Sequence, residues 1–160
     1  MIMDELLEFA DNVDVSGTAG TALIGDVIDL GATPQDFGHG EPMYLVIQSG
    51  DTEIITGGAA GTIKFELASD AAAAIATDGS ATTHIDTGTF VTDDTAANDD
   101  QMGPNKTIFV GALPTGAGRA YERYLGILAT IATTTVTAGT INAFLTKDPS
   151  YWRSYADGQN

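Results

Sequence analysis

Two runs with an apolar residue at every second position, in the last third of the chain, constrain the fold more than any other feature. Apolar side chains recur at every second position in two runs, at Leu125, Ile127, Ala129 and Ile131, and again at Ile141, Ala143 and Leu145. Side chains two positions apart share one face of a β-strand, so each run predicts a strand that covers a core on one side. Gly139, between the runs, can adopt the positive φ that a reversal needs. The region therefore predicts a long β-hairpin.

Strand-like segments also occur throughout the preceding sequence, separated by turn residues. They are predicted at residues 21–30, 42–49, 52–56, 62–68 and 106–113, with one broken strand or two short ones at 83–92 around Gly88. Eight or nine strands at this spacing predict an all-β sandwich or barrel. The residues expected to be largely buried are Val46, Ile63, Phe65, Leu67, Ile108, Val110, Leu125, Ile127, Ile141 and Leu145.

Helical character is confined to two short segments. Residues 3–12 predict a helix, since Asp4, Glu5 and Glu8 suit its first turns electrostatically. This helix either packs on its own domain or is an arm that orders against a neighbouring molecule. The predicted division is a helical arm at 1–13, a sandwich at 14–148 and a tail at 149–160. Residues 69–77 predict a helical turn on weaker grounds.

The charge distribution restricts the class of partner. Residues 1–100 contain nineteen acidic residues and one base, Lys64, whereas residues 101–160 contain three acidic residues and five bases. The net charge of −16 disfavours binding to nucleic acid or to an anionic membrane. Acidic residues can serve solubility or can steer a protein partner, and the sequence leaves both explanations open. The sequence contains no cysteine, no basic apolar leader and no membrane-length apolar run.

The chain carries no recognisable pattern for catalysis or for a cofactor. His39 and His84 stand far apart outside any metal-binding motif, and no G-x-S-x-G elbow occurs. We therefore expect no enzymatic activity and no cofactor. An acidic loop contains Asp93, Asp94, Asn98, Asp99 and Asp100, whose oxygens are a weak candidate for Ca²⁺. Its spacing differs from that of an EF-hand, so a solvated surface loop is the favoured interpretation.

The residues of interface type lie mainly towards the C-terminus, because tyrosine, tryptophan and arginine are frequent interface anchors. The candidates there are Arg119, Tyr121, Arg123, Tyr124, Tyr151, Trp152, Arg153 and Tyr155, and the N-terminal arm adds Leu6, Leu7 and Phe9. Alternatively, Trp152 folds back and covers one end of the sandwich.

Five sequence segments together resemble the small capsid cement proteins of tailed phages, whose type member decorates a short-tailed Bordetella phage. They are LLEFADN, DVIDLG, GEPMYLVIQ, RYLGI and TAGTINAFLTKD, and they extend over most of the chain except about residues 57–103. The resemblance implies a jelly-roll sandwich, usually dimeric, made in the host cytoplasm and seated outside the shell of the major capsid protein. It carries over no catalytic residue. The alternative function is a carbohydrate- or cell-surface-binding jelly roll that uses Trp152 and Ca²⁺ held by the acidic loop.

Overall fold

Eight β-strands make up most of the part of the chain that the structure, a computed structural model, describes: residues 5–32, 41–56, 61–92, 102–115 and 119–149. A single 3-10 turn at Glu5–Leu7 precedes the first strand. The strands are β1 (Glu8–Asp14), β2 (Gly20–Asp29), β3 (Tyr44–Ser49), β4 (Thr62–Asp70), β5 (Thr82–Val91), β6 (Thr107–Ala112), β7 (Tyr124–Ala132) and β8 (Thr140–Thr146).

The strands form two four-stranded antiparallel sheets. The first sheet has the order β1-β8-β3-β6 and the second has the order β2-β7-β4-β5. The prediction of an all-β fold with two antiparallel sheets is confirmed. This order is jelly-roll-like, because the strands pair in nested order along the sequence: β1 with β8, β2 with β7, β3 with β6 and β4 with β5.

A single hydrophobic cluster joins the inner faces of the two sheets. Leu45 and Ile141 of the first sheet belong to the same buried cluster as Phe65 and Ile127 of the second. The alternation in β4 is confirmed, since its three inward side chains are fully buried. Eight of the ten residues expected in the core are buried, namely Val46, Ile63, Phe65, Leu67, Leu125, Ile127, Ile141 and Leu145.

The two remaining core predictions fall on β6, a strand at the edge of its sheet. Ile108 is only partly buried and packs against the core cluster. Val110 is 40% exposed, so its prediction as a core residue was wrong. Val110 pairs with Val46 in β3 and has no second neighbouring strand among the described residues. An edge position leaves a side chain covered from one side only.

The predicted hairpin is wrong, although both of its strands exist. β7 pairs with β2 and β4, whereas β8 pairs with β1 and β3, so the two strands belong to different sheets. Two strands that are apolar on one face can bury those faces against each other across a core, and here they do. Residues 133–139 cross between the sheets. Gly139 has the expected positive φ, and a Cβ there would lie 2.7 Å from Ile54 Cα, which explains the glycine.

The predicted N-terminal helix and its arm are also wrong. Among the described residues of this segment, only Glu5–Leu7 form a helical turn, and β1 begins at Glu8 and pairs with β8. Phe9 is 1% exposed within the core cluster, so the sandwich begins before residue 14. The gain from burying Phe9 and from strand pairing exceeds the weak helical preference of a segment about ten residues long.

Three smaller predictions differ from the structure in a similar way. Residues 52–56 form no strand, and Ile55 makes only an isolated bridge to Ala138. Residues 69–77 form no helical turn, because Ser69 and Asp70 complete β4. The chain then bends over the outer face of the second sheet, where Ile75 is buried beside Ala68 and Leu128. Residues 82–91 form one continuous strand in spite of Gly88.

Candidate functional site

Most of the described interface candidates meet at one end of the sandwich, where β7 begins and β8 ends. Tyr124 opens β7 and pairs with the last residues of both β2 and β4, while Thr146 closes β8 opposite Tyr44 at the start of β3. We call this the arginine end and define it by Leu6, Leu7, Arg119, Tyr121, Arg123, Tyr124 and Lys147. The opposite end, where β7 ends and β8 begins, is called the far end.

Arg123 is tied to the fold by an ion pair inside the chain. Its Nε and Nη2 donate to the two carboxylate oxygens of Asp29 at 2.9 and 2.8 Å. The Arg123 hydrogen bonds, helped by the Gly31 N–H, lower the pKa of Asp29 to about 2. The guanidinium also lies 4.9 Å from the centroid of the Tyr124 ring. Arg123 therefore joins the end of β2 to the start of β7, and its charge is already neutralised by the Asp29 carboxylate.

Tyr121 is a core residue and not an exposed anchor. Its side chain is 4% exposed, and its hydroxyl donates to the Pro114 carbonyl at 2.8 Å. Burial raises the pKa of Tyr121 to about 12. The ring stacks on His84 with a centroid distance of 4.0 Å. Tyr121 thus fixes the segment that leads into β7 and offers almost no surface of its own to a partner.

A polar cluster that the sequence did not reveal includes His84, the residue on which the Tyr121 ring stacks. Ser69 Oγ is 2.7 Å from His84 Nε2 and accepts the Glu122 N–H at 3.0 Å. Thr82 donates to Glu122 Oε1 at 2.9 Å. Burial, followed by the charge of Arg119, lowers the pKa of His84. These residues are distant in sequence, and no motif links them, so only the strand pairing brings them together.

A serine beside a histidine is also the geometry of an activated nucleophile, so its accessibility matters. The Ser69 side chain is fully buried, and its oxygen already accepts a backbone hydrogen bond. A substrate could not approach that oxygen without displacement of the surrounding strands. The contacts instead hold the end of β4, the start of β5 and the approach to β7 in register.

The N-terminal candidates differ sharply in exposure. Leu6 is 78% exposed, Leu7 is partly buried against the core, and Phe9 is buried within it. Leu6 is therefore the N-terminal side chain that offers apolar area to a partner. Phe9 stabilises the fold.

The cations at the arginine end also differ in their availability. Lys147 Nζ lies 2.8 Å from Glu41 Oε2, and this contact lowers the pKa of Glu41. Arg119 is exposed and makes no ion pair with the described residues. An open groove of about 350 Å³ lies beside it, lined by Ala32, Ala120 and the Arg123 side chain. Arg119 and this groove are therefore accessible features of the arginine end.

The remaining candidates lie outside the described residues. They are Tyr151, Trp152, Arg153 and Tyr155 in the tail, and Asp93, Asp94, Asn98, Asp99 and Asp100 in the acidic loop. The described residues that flank this loop, Thr92 and Met102, are both buried, and β5 ends and β6 begins at the far end. Across the described ranges, no group of three acidic or histidine side chains could hold a metal ion.

No helix within the described residues is long and apolar enough to cross a membrane. No curated protein matches the chain. The family match is extensive, because the Bbp16 family, a family of Bordetella phage proteins, matches residues 12–145. These residues include all of β2 to β7, the last three residues of β1 and all of β8 except Thr146. The chain belongs to the Bbp16 family.

Proposed function

We propose that this protein is a structural component of a phage virion that binds the outside of the capsid. In this role it cements neighbouring major capsid subunits and stabilises the head as a homodimer without catalysing a reaction. The observation that carries the proposal is the Bbp16 match, which extends over both sheets of the sandwich. Many modest contacts on a fixed lattice act together, so a small protein can stabilise a large shell.

The distribution of side chains supports contact through the arginine end. Leu6 offers exposed apolar area there, and Arg119 offers a charge that no described residue neutralises. Arginine forms bidentate hydrogen bonds with carboxylates, which makes it suited to a protein interface. The neighbouring groove has alanine side chains in its lining, so it leaves room for a partner side chain.

The far end carries several carboxylates. Asp14 ends β1 there, Asp51 and Glu53 follow the end of β3, and the acidic loop lies between β5 and β6 in the sequence. A capsid-bound protein that docks through the arginine end would direct these carboxylates towards solvent. That orientation keeps these carboxylates away from the shell and favours solubility of the decorated particle.

Co-sedimentation with phage heads stripped of this protein tests the role. The wild-type protein should sediment with the heads and raise the temperature at which they burst. Arg119→Ala should weaken binding about tenfold, equivalent to about 1.4 kcal/mol, because it removes the exposed arginine of the proposed contact. The matched control is Lys106→Ala, which removes an exposed cation at the far end and should bind like the wild type.

Two results would contradict the proposal. Stripped heads that resist heat as well as decorated heads would exclude a cementing role. Equal loss of binding in Arg119→Ala and Lys106→Ala would exclude docking through the arginine end. Glycan binding abolished by EDTA would instead favour the carbohydrate-binding alternative.

A further inference from the structure

Within the described residues the two sheets have four edge strands, and these edges are not alike. β1 and β6 border the first sheet, and β2 and β5 border the second. An edge strand presents unpaired backbone N–H and C=O groups, so it can recruit a strand from another molecule. Soluble proteins usually prevent this with charged side chains, bulges or an irregular backbone on the edge.

Three of the four edges carry such protection. β1 contains three acidic residues and two register shifts, and Asn12 within it has a φ of 51°. β2 contains two acidic residues and a register shift between Ile24 and Ile28. β5 contains Asp86, a positive φ at Gly88 and two register shifts against β4. A second strand would meet repulsion or poor geometry at each of them.

β6 lacks the protection that the other three edges have. Its sequence, TIFVGA, contains no ionisable residue and no proline. It pairs with β3 in unbroken register from Ala112 to Phe109, and the only shift lies near Thr107. Val110 is 40% exposed at the centre of the strand, on the same face as the buried Val46 and Phe144.

We propose that β6 is the dimerisation edge, at which two copies of this chain pair their β6 strands antiparallel about a two-fold axis. The first sheets of the two sandwiches then form one continuous eight-stranded sheet. This inference deepens the homodimer of the proposed function by assigning its interface, and it does not depend on capsid binding.

A second copy is the favoured occupant because of charge. Each chain carries a net charge of −16, so two copies repel one another, and a contact without charged side chains adds no close like-charge pairs to this repulsion. Pairing of β1 with β1, or of β2 with β2, would bring carboxylates against carboxylates. β6 contains no charge, so a two-fold contact there avoids this cost.

The two-fold symmetry also fixes the possible registers. Residues that face each other in an antiparallel pair lie on the same face of the sheet, so Val110 can lie opposite Val110 of the second copy. This register would extend the apolar row of Phe144, Val46 and Val110 across the interface. Two half-exposed valines would cover each other, and the backbone groups of both edges would be paired.

Sedimentation velocity over a concentration series tests the assignment without capsids. The wild-type protein should be a dimer at micromolar concentration. Val110→Lys should raise the dimer dissociation constant at least about tenfold, because it places like charges opposite each other. The matched control is Val91→Lys on the β5 edge, where the valine is 38% exposed, and this variant should dimerise like the wild type.

An equimolar mixture of Val110→Lys and Val110→Glu should recover the dimer, because opposite charges would then face each other. This recovery also shows that both variants are folded. A monomeric wild-type protein at high micromolar concentration would overturn the inference, as would tight dimers of Val110→Lys or equal disruption by Val91→Lys. A β6 dimer that fails to bind phage heads would contradict only the cementing role.

Discussion

Replacing Phe9 by alanine distinguishes a strand that belongs to the sandwich from an arm that lies beside it. Phe9 and Leu6 are three residues apart, yet Phe9 is 1% exposed in the core and Leu6 is 78% exposed. The structure therefore predicts very different effects for Phe9→Ala and Leu6→Ala. A detachable arm would predict small effects for both.

The expected magnitude follows from the burial of each side chain. Truncation of a buried phenylalanine removes its transfer free energy and leaves a cavity, at a cost of about 3–5 kcal/mol. This is a large share of the roughly 5–15 kcal/mol by which a domain is usually stable, and it lowers the Tm by roughly 6–20 °C. Leu6→Ala should change the free energy of unfolding by no more than about 0.5 kcal/mol, because its side chain is already in solvent.

Urea denaturation followed by far-ultraviolet circular dichroism measures both effects. The protein concentration must be the same in every experiment, because the proposed dimerisation would raise the apparent stability. Phe9→Ala should lower the midpoint without a change in the m-value, whereas Leu6→Ala should match the wild type. Equal midpoints for Phe9→Ala and the wild type would refute the assignment of β1 to the core. For the same reason, deletion of residues 1–10 is unsuitable as a test of capsid attachment.

Two further predictions concern the contacts of β2. Asp29→Asn should melt below the wild type at pH 6 and together with it near pH 2, because a lowered folded-state pKa stabilises above the unfolded pKa of 3.8 and is lost towards about pH 2. A melting difference that persists at pH 2 would contradict the role of the Asp29–Arg123 pair. Gly25→Ala should destabilise the fold, because Gly25 has a φ of 64° and a Cβ would collide with the Phe9 carbonyl oxygen. Gly88→Ala has a similar φ of 78° but open space around it, so chemical denaturation should show a smaller loss, and equal losses would exclude the contact as the cause.

The sequence predicted the strands far better than their partners. Period-two alternation located β4, β7 and β8 closely, because it reflects which face of a strand is buried. It contains no information about which sheet each strand enters. β7 and β8 are neighbours in sequence and both face the core, so a hairpin and a crossing between sheets produce the same pattern. Strand order became visible only through pairing, such as that of β8 with β1.

The candidate site shows the same limit at the level of side chains. Residue type identified Arg119, Tyr121 and Arg123 as candidate anchors. It could not distinguish exposed side chains from those that are buried or already paired within the fold. Tyr121 is buried and Arg123 is paired with Asp29, so of these three only Arg119 is exposed without an ion pair to a described residue. The cluster of Ser69 and His84 depends on contacts between strands and has no signal in the sequence.

The placement of charge relates the solubility of the chain to its capacity for assembly. Among the five described bases, Lys64, Arg123 and Lys147 form ion pairs with acidic residues of the same chain. These cations stabilise contacts within the fold, so they contribute little to attraction of a partner. The carboxylates on three sheet edges keep like-charged copies apart there, while β6 carries none. In the proposed dimer, an acidic surface would leave association possible at the β6 edge because repulsion suppresses it at the other edges. The charges that favour solubility would then also determine where the chain assembles.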